Sequence, residues 1–186
     1  MEPIILASQS PRRRELLGLY GIPFVVDPSQ EDEEHVQGTG VQRVQKLAQL
    51  KCAEVAARHP GRMVLAADTL VCVDDEILGK PKDEQDASRM LHLLSGRAHE
   101  VHTGVCLRLP DGRELCGVDT TRVFFLPLSE QSIRRYIATG ESMDKAGAYG
   151  IQGEAGKFVE SLDGSFENVM GFPVREVQIM LEQMTK

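Results

Sequence analysis

The sequence predicts an α/β fold built on a mixed sheet, and three observations carry that reading. Apolar runs of strand length alternate with stretches of helical periodicity from one end of the chain to the other. Gly, Pro, Asp and Ser punctuate the junctions between them. No internal repeat, low-complexity tract or linker divides the 186 residues, so a single domain is expected.

Ile4 to Ala7 reads as a buried strand leading into an arginine-rich helix that starts at Pro11 and stops between Gly18 and Gly21. Phe24 to Val26 reads as a second strand, and the acidic stretch from Pro28 to Gly40 as an exposed loop. From Val41 to Arg58, the residues Val44, Leu47, Ala48, Cys52, Val55 and Ala56 share one helical face, closed by Pro60 and Gly61. Met63 to Val73 is a buried strand entering a hairpin through Asp74 and Asp75 to Glu76–Leu78. Asp83 caps a helix to about Leu94. Strands at about Glu100 to Leu109 and Leu115 to Leu126 flank the turn Pro110, Asp111, Gly112, and Ser129 caps a helix ending at Gly140. The segment 147–156 reads as loop, Phe158 to Ser161 as strand, and Pro173 to Met184 as a closing helix.

Composition narrows the function. A net charge of −7 argues against general binding to nucleic acid or anionic membranes, whose non-specific affinity needs excess Lys and Arg. No run approaches the roughly 20 apolar residues of a membrane span, and no signal-type segment opens the chain, so a cytoplasmic protein is expected. The cysteines at 52, 72, 106 and 116 form no C-x-x-C pair, have no histidine at zinc spacing, and read as reduced core thiols.

Four places violate their surroundings. In Ala7 to Leu17, ASQSPRRRELL, Ser10 stands at the N-cap position and Pro11 at the first helical position, while Arg12 and Arg13 add forked donors that match phosphate. Three cations at the positive end of a helix call for an anion, although an ordinary capped helix with a solvated basic turn fits the local pattern equally well. Asp68 interrupts an apolar strand, where an unpaired carboxylate costs several kcal/mol. A strand-end aspartate bonded to backbone and a functional carboxylate both satisfy that pattern. Lys51 lies on the inward face of its helix, either snorkelling outwards or pointing a charge into a cleft. Asp144 to Gly153, DKAGAYGIQG, packs glycines around residues too apolar for a solvated loop, and its Gln152 carries the donor and acceptor needed to read a base edge. Asn168 sits within a second glycine-punctuated stretch suited to a pocket rim. The histidines show no metal-ligand spacing.

The ordered segments ASQSPRRRELL, AADT, GKPKD, MLHLLSGRAHEVHTGV, GESMDKAGAYGIQG and GSFENVMGFP, spanning about residues 4 to 175, resemble the Maf family of nucleoside triphosphate pyrophosphatases. The resemblance implies an elongated mixed β-sheet with flanking helices, two lobes around a deep cleft and likeness to inosine triphosphate pyrophosphatases. It further implies a cytoplasmic homodimer, a divalent cofactor (Mg²⁺ or Mn²⁺), and cleavage of a triphosphate between its α and β phosphates. By the same resemblance Asp68 is the catalytic proton acceptor, Arg12, Thr69 and Gln152 set specificity, and Ser8, Ser10, Arg13, Lys51 and Lys80 bind phosphate. Asp68 and Glu33 are the implied metal ligands. The doubled arginine, threonine and glutamine match the subfamily that prefers dTTP and UTP rather than its sister that favours methylated GTP. Departures are small: Ala67 stands where glycine is common, Leu50 and Cys52 flank Lys51, and the loop around Glu33 is divergent. The family's link to septum formation leaves one alternative, a non-catalytic nucleotide-binding regulator of cell division.

Overall fold

The computed structural model describes residues 2–184 and bears out the α/β reading. Its elements are β1 (Ile4–Leu6), α1 (Pro11–Leu19), β2 (Phe24–Val26), α2 (Gly40–Arg58), β3 (Val64–Val73), β4 (Glu76–Leu78) and α3 (Glu84–Leu94). There follow β5 (Ala98–Arg108), β6 (Glu114–Phe125), α4 (Glu130–Ala138), β7 (Val159–Asp163), α5 (Phe166–Val169) and α6 (Val174–Gln183). The strands hydrogen-bond in the order β2-β1-β3-β5-β6-β7, with β4 on β3. The pairs β1–β2 and β1–β3 are parallel, whereas β3–β4 and β6–β7 are antiparallel, so the sheet is mixed.

The chain divides into two units, with boundaries inside β3, β5 and β6. The first comprises Met1–Asp68, Thr103–Asp119 and Gly171–Lys186. Here the apolar face of α2, through Ala48, Cys52 and Val55, packs with Ile5, Ala7, Val64, Ala66 and Cys106. Parallel pairing sets Ile5 opposite Val64 and Leu6 opposite Leu65, and Ala7 N donates to Leu65 O at 2.9 Å. Ser8 lies just beyond the carboxyl end of β1, where α/β sheets present their ligand sites, and Asp68 stands within β3 just past the stretch that pairs with β1.

Helix α2 begins earlier than its apolar periodicity indicates, because Thr39 and Gln42 close a reciprocal capping box. Gly104 brings β5 against the backbone of α2: a Cβ there would lie 2.3 Å from Val44 O. That close approach fixes the helix two turns before Lys51. The β5–β6 connection is the predicted three-residue turn. Leu109 N donates to Arg113 O at 2.8 Å, Gly112 N to Leu109 O at 2.9 Å, and Gly112 takes φ +87°.

The second unit, Thr69–His102 with Thr120–Met170, has its own core of Val71, Leu78, Leu91, Val101, Val123, Phe125, Ile133, Tyr136 and Phe158. Ala148, Tyr149 and Ile151 are buried, which explains apolar residues among glycines. The expected loop at 147–156 contains two 3₁₀ turns, Ala146–Ala148 and Glu154–Phe158. The short helix α5 was not legible from periodicity: Ser165 caps it by accepting from Asn168 N at 3.1 Å. Asn168 is fully buried, and its Nδ2 donates to Val101 O and Thr121 Oγ1, both at 3.0 Å. It ties α5 to β5 and β6 instead of shaping an open rim.

Candidate active site

The site is assembled from the carboxyl end of β1, the start of α1, the middle of α2 and β3, all within the first unit. Asp68 and Lys51 are 5% and 9% exposed, and Lys51 Nζ lies 2.6 Å from Asp68 Oδ1. The inward-facing lysine of the helix and the stray carboxylate of the strand are therefore partners. The same Nζ lies 2.6 Å from Glu33 Oε1, so an exposed carboxylate of the acidic loop shares the cation. The loop carrying Glu33 also walls a cavity of about 420 Å³ with Lys46 and Leu50 of α2.

Asp68 Oδ2 is buried and has no hydrogen-bond partner among the described residues. Burial raises the Asp68 pKa above the usual carboxylate range, and Glu33 adds to the rise, while Lys51 and Arg13 oppose it. A carboxylate so placed is a better proton acceptor than one in water.

Arg13 stands on the first turn of α1. Its Nε donates to Gly171 O at 2.7 Å and its Nη1 to Ser8 Oγ at 3.1 Å, and Ser8 Oγ also accepts from Ser10 N at 3.2 Å. Burial lowers the Arg13 pKa, countered by the charge of Asp68, which places the two in one electrostatic field. One expectation is corrected here. Ser10 occupies the N-cap position of α1, but its side chain makes no capping hydrogen bond; its own N–H donates to Ser8 Oγ. The helix start keeps its backbone donors, as an anion site requires.

The structure brings together Ser8, Arg13, Glu33, Lys51 and Asp68, with Ser10 and the half-buried Arg12 on the same helix start. Thr69, Lys80 and Gln152 belong to the second unit. Thr69 is half-buried on β3; Lys80 and Gln152 are exposed. Gly147 N donates to Gly79 O at 3.1 Å, holding the glycine-rich segment of Gln152 against the turn that presents Lys80. Gly147 must be glycine, with φ +70° and Val71 2.9 Å from where a Cβ would stand. The role of Gly171 was invisible in the sequence, since a carbonyl acceptor leaves no side-chain signature.

A model of the family described as Maf-like protein matches residues 3–184. The chain belongs to the Maf family. The dTTP/UTP pyrophosphatase of Symbiobacterium thermophilum is 50% identical to it over 184 residues, covering 98% of this chain and 94% of that protein. The dTTP/UTP pyrophosphatase of Thermococcus gammatolerans is 52% identical over 171 residues, covering 92% and 91%. In fold, this Maf chain is similar to the Staphylococcus aureus Ham1 protein, with a TM-score of 0.56, 16% identity and coverage of 98% and 100%.

Proposed function

We propose that this Maf protein hydrolyses dTTP and UTP to the nucleoside monophosphate and pyrophosphate, with Asp68 as the general base. The observation that carries the reading is the buried Asp68 carboxylate, held through Oδ1 by Lys51 while Oδ2 has no hydrogen-bond partner among the described residues. The names of the relatives, at about half identity over nearly the whole chain, supply the substrate class.

In this reading water attacks the α phosphorus, its proton passes to Asp68, and the bond to the β-phosphate oxygen breaks with departure of pyrophosphate. Proton transfer to a positioned base contributes roughly 10²- to 10⁴-fold. Arg13, fixed by Gly171 O and Ser8 Oγ, meets the phosphates with a preset guanidinium, alongside the start of α1 with Ser8 and Ser10. Lys51 holds Asp68 and Glu33 and adds positive charge. Lys80 is assigned to phosphate, and Arg12, Thr69 and Gln152 to the choice of base, because they match the family's positions for those roles. A matched polar contact to a pyrimidine edge discriminates more strongly than an apolar one.

Asp68 and Glu33 would hold a divalent cation, Mg²⁺ or Mn²⁺. Both are hard oxygen donors within reach of one lysine nitrogen, and the partnerless Asp68 Oδ2 fits a ligand position. A bound cation supplies charge neutralisation for the phosphates. We further assign the chain to the cytoplasm as a single-domain homodimer. No helix among the described residues is long and apolar enough to cross a membrane.

The test is a panel of natural and modified nucleoside triphosphates with Mg²⁺ and product identification. Pyrophosphate release, fastest with dTTP and UTP, is expected. Orthophosphate as the first product would sink the reaction class, and nucleotide binding without turnover would favour the regulator of cell division.

A further inference from the structure

We propose that Cys106 and Cys116 form a reversible disulfide, an oxidation site separate from the Asp68 machinery. The hairpin turn dictates the juxtaposition. Leu109 pairs with Arg113 through a hydrogen bond, and three residues back along each strand Cys106 faces Cys116. Pairing alternates in antiparallel strands, so this pair falls in a non-hydrogen-bonded position, where Cα atoms are about 4.5 Å apart and side chains closest. That separation lies within the range a disulfide spans. The two Sγ atoms are 3.1 Å apart.

The thiols are unequal. Cys106 is fully buried in the cluster with Cys52, Ala48 and Val64, whereas Cys116 is partly exposed at its edge. Cys116 Sγ donates to Cys106 Sγ at 3.1 Å and accepts from Gln49 Nε2 at 3.5 Å. The contact with Cys106 first, and then that with Gln49, brings the Cys116 thiol down to about 7, while contact with Cys116, then with Cys52, and burial push Cys106 up. Cys116 is thus the accessible, nucleophilic partner, with its pKa near neutral pH, where attacking thiols are most effective. Cys106 is the resolving partner.

The chemistry balances with a low-molecular-weight disulfide as oxidant. The Cys116 thiolate attacks one sulfur of that disulfide, forms a mixed disulfide and expels the first small thiolate. Cys106 then attacks the Cys116 sulfur, expelling the second small thiolate, which takes up the Cys106 proton. Two protein thiols are oxidised and one small disulfide is reduced to two thiols.

Cys106, Glu114 and Cys116 also have the composition of a soft-metal site. Two thiolates sharing a tetrahedral zinc stand about 3.8 Å apart. The 3.1 Å contact here is closer, and Glu114 is already engaged by Arg108 at 3.1 Å. Those distances favour the thiol pair over the metal.

The experiment incubates the reduced full-length protein with oxidised glutathione, alkylates the remaining thiols and maps the peptides by mass spectrometry. The expected result is a Cys106–Cys116 link that leaves two of the four cysteines alkylated and is reversed by dithiothreitol. Cys52→Ser retains the link, Cys116→Ser abolishes it, and Cys106→Ala leaves Cys116 trapped as the glutathione adduct. Four free thiols in the wild type, or a link through Cys52, would overturn the proposal without need of any variant. So would one equivalent of added Zn²⁺ retained through gel filtration by the reduced protein and lost from Cys116→Ser.

Discussion

Replacing Lys51 by Met removes one charge from the centre of the site while keeping a side chain of similar length on α2. In the wild type the ammonium lies 2.6 Å from an oxygen of Asp68 and 2.6 Å from one of Glu33. With charge centres about 4 Å apart and an effective dielectric of roughly 20, the attraction lost by the Asp68 carboxylate is about 4 kcal/mol. Losing that attraction raises the titration midpoint of Asp68 above its wild-type position. The Glu33 side chain is 52% exposed, so its repulsion of Asp68 in the variant is largely screened and adds little. The direction follows from linkage. Lys51 favours the ionised form of Asp68, so its removal makes the folded state hold that proton to higher pH. The variant's loss of stability, about 3–5 kcal/mol when the carboxylate is ionised, is therefore greatest at high pH and shrinks as pH falls through the raised midpoint. Carboxyl ¹³C NMR of aspartate-labelled, metal-free protein measures the midpoint, and urea unfolding at two pH values measures the stability. An Asp68 midpoint unchanged from wild type would refute the pairing on which the site is built.

Three further predictions follow from named contacts. Asp68→Asn lowers turnover at least about a hundredfold while the circular dichroism spectrum stays that of the wild type; near-normal turnover would remove Asp68 from the chemistry. Gly104→Ala forces a methyl group to within 2.3 Å of Val44 O and destabilises the protein by about 3 kcal/mol, lowering Tm by about 6–12 °C. A Tm within a degree of wild type would show that β5 and α2 separate easily. His99 is buried against Phe125 and Tyr149, and burial lowers its pKa to about 4. The unfolded chain takes up that proton first, so stability is lost as pH falls from about 6.5 towards 4, by about 3 kcal/mol in all. The His99 Cε1 proton resonance gives the midpoint directly, and titration near 6.5 would contradict the burial.

The elements were legible because each strand and helix carries its period and its punctuation. Asp68 and Lys51 were legible singly, as charges on apolar faces. Their pairing was not, since residues 17 apart on a helix and a strand meet only through the tertiary fold. Glu33 gave no signal beyond one acidic residue among four, and its part in the site comes from contact with Lys51. Ser10 stands at the N-cap without capping, because the residue type offers a hydroxyl there but leaves open where that hydroxyl points. Cys106 and Cys116 showed no motif spacing, because a hairpin sets their separation by pairing register. Asn168 could be mistaken for a rim residue because the buried carbonyl and hydroxyl it bonds lie 67 and 47 positions away in sequence.

The most direct measurement is the fate of labelled water during hydrolysis of dTTP in H₂¹⁸O with Mg²⁺. A base at Asp68 acting on water at the α phosphorus predicts one ¹⁸O in the nucleoside monophosphate and none in the pyrophosphate. Label in pyrophosphate or in orthophosphate would place the attack elsewhere and contradict the account.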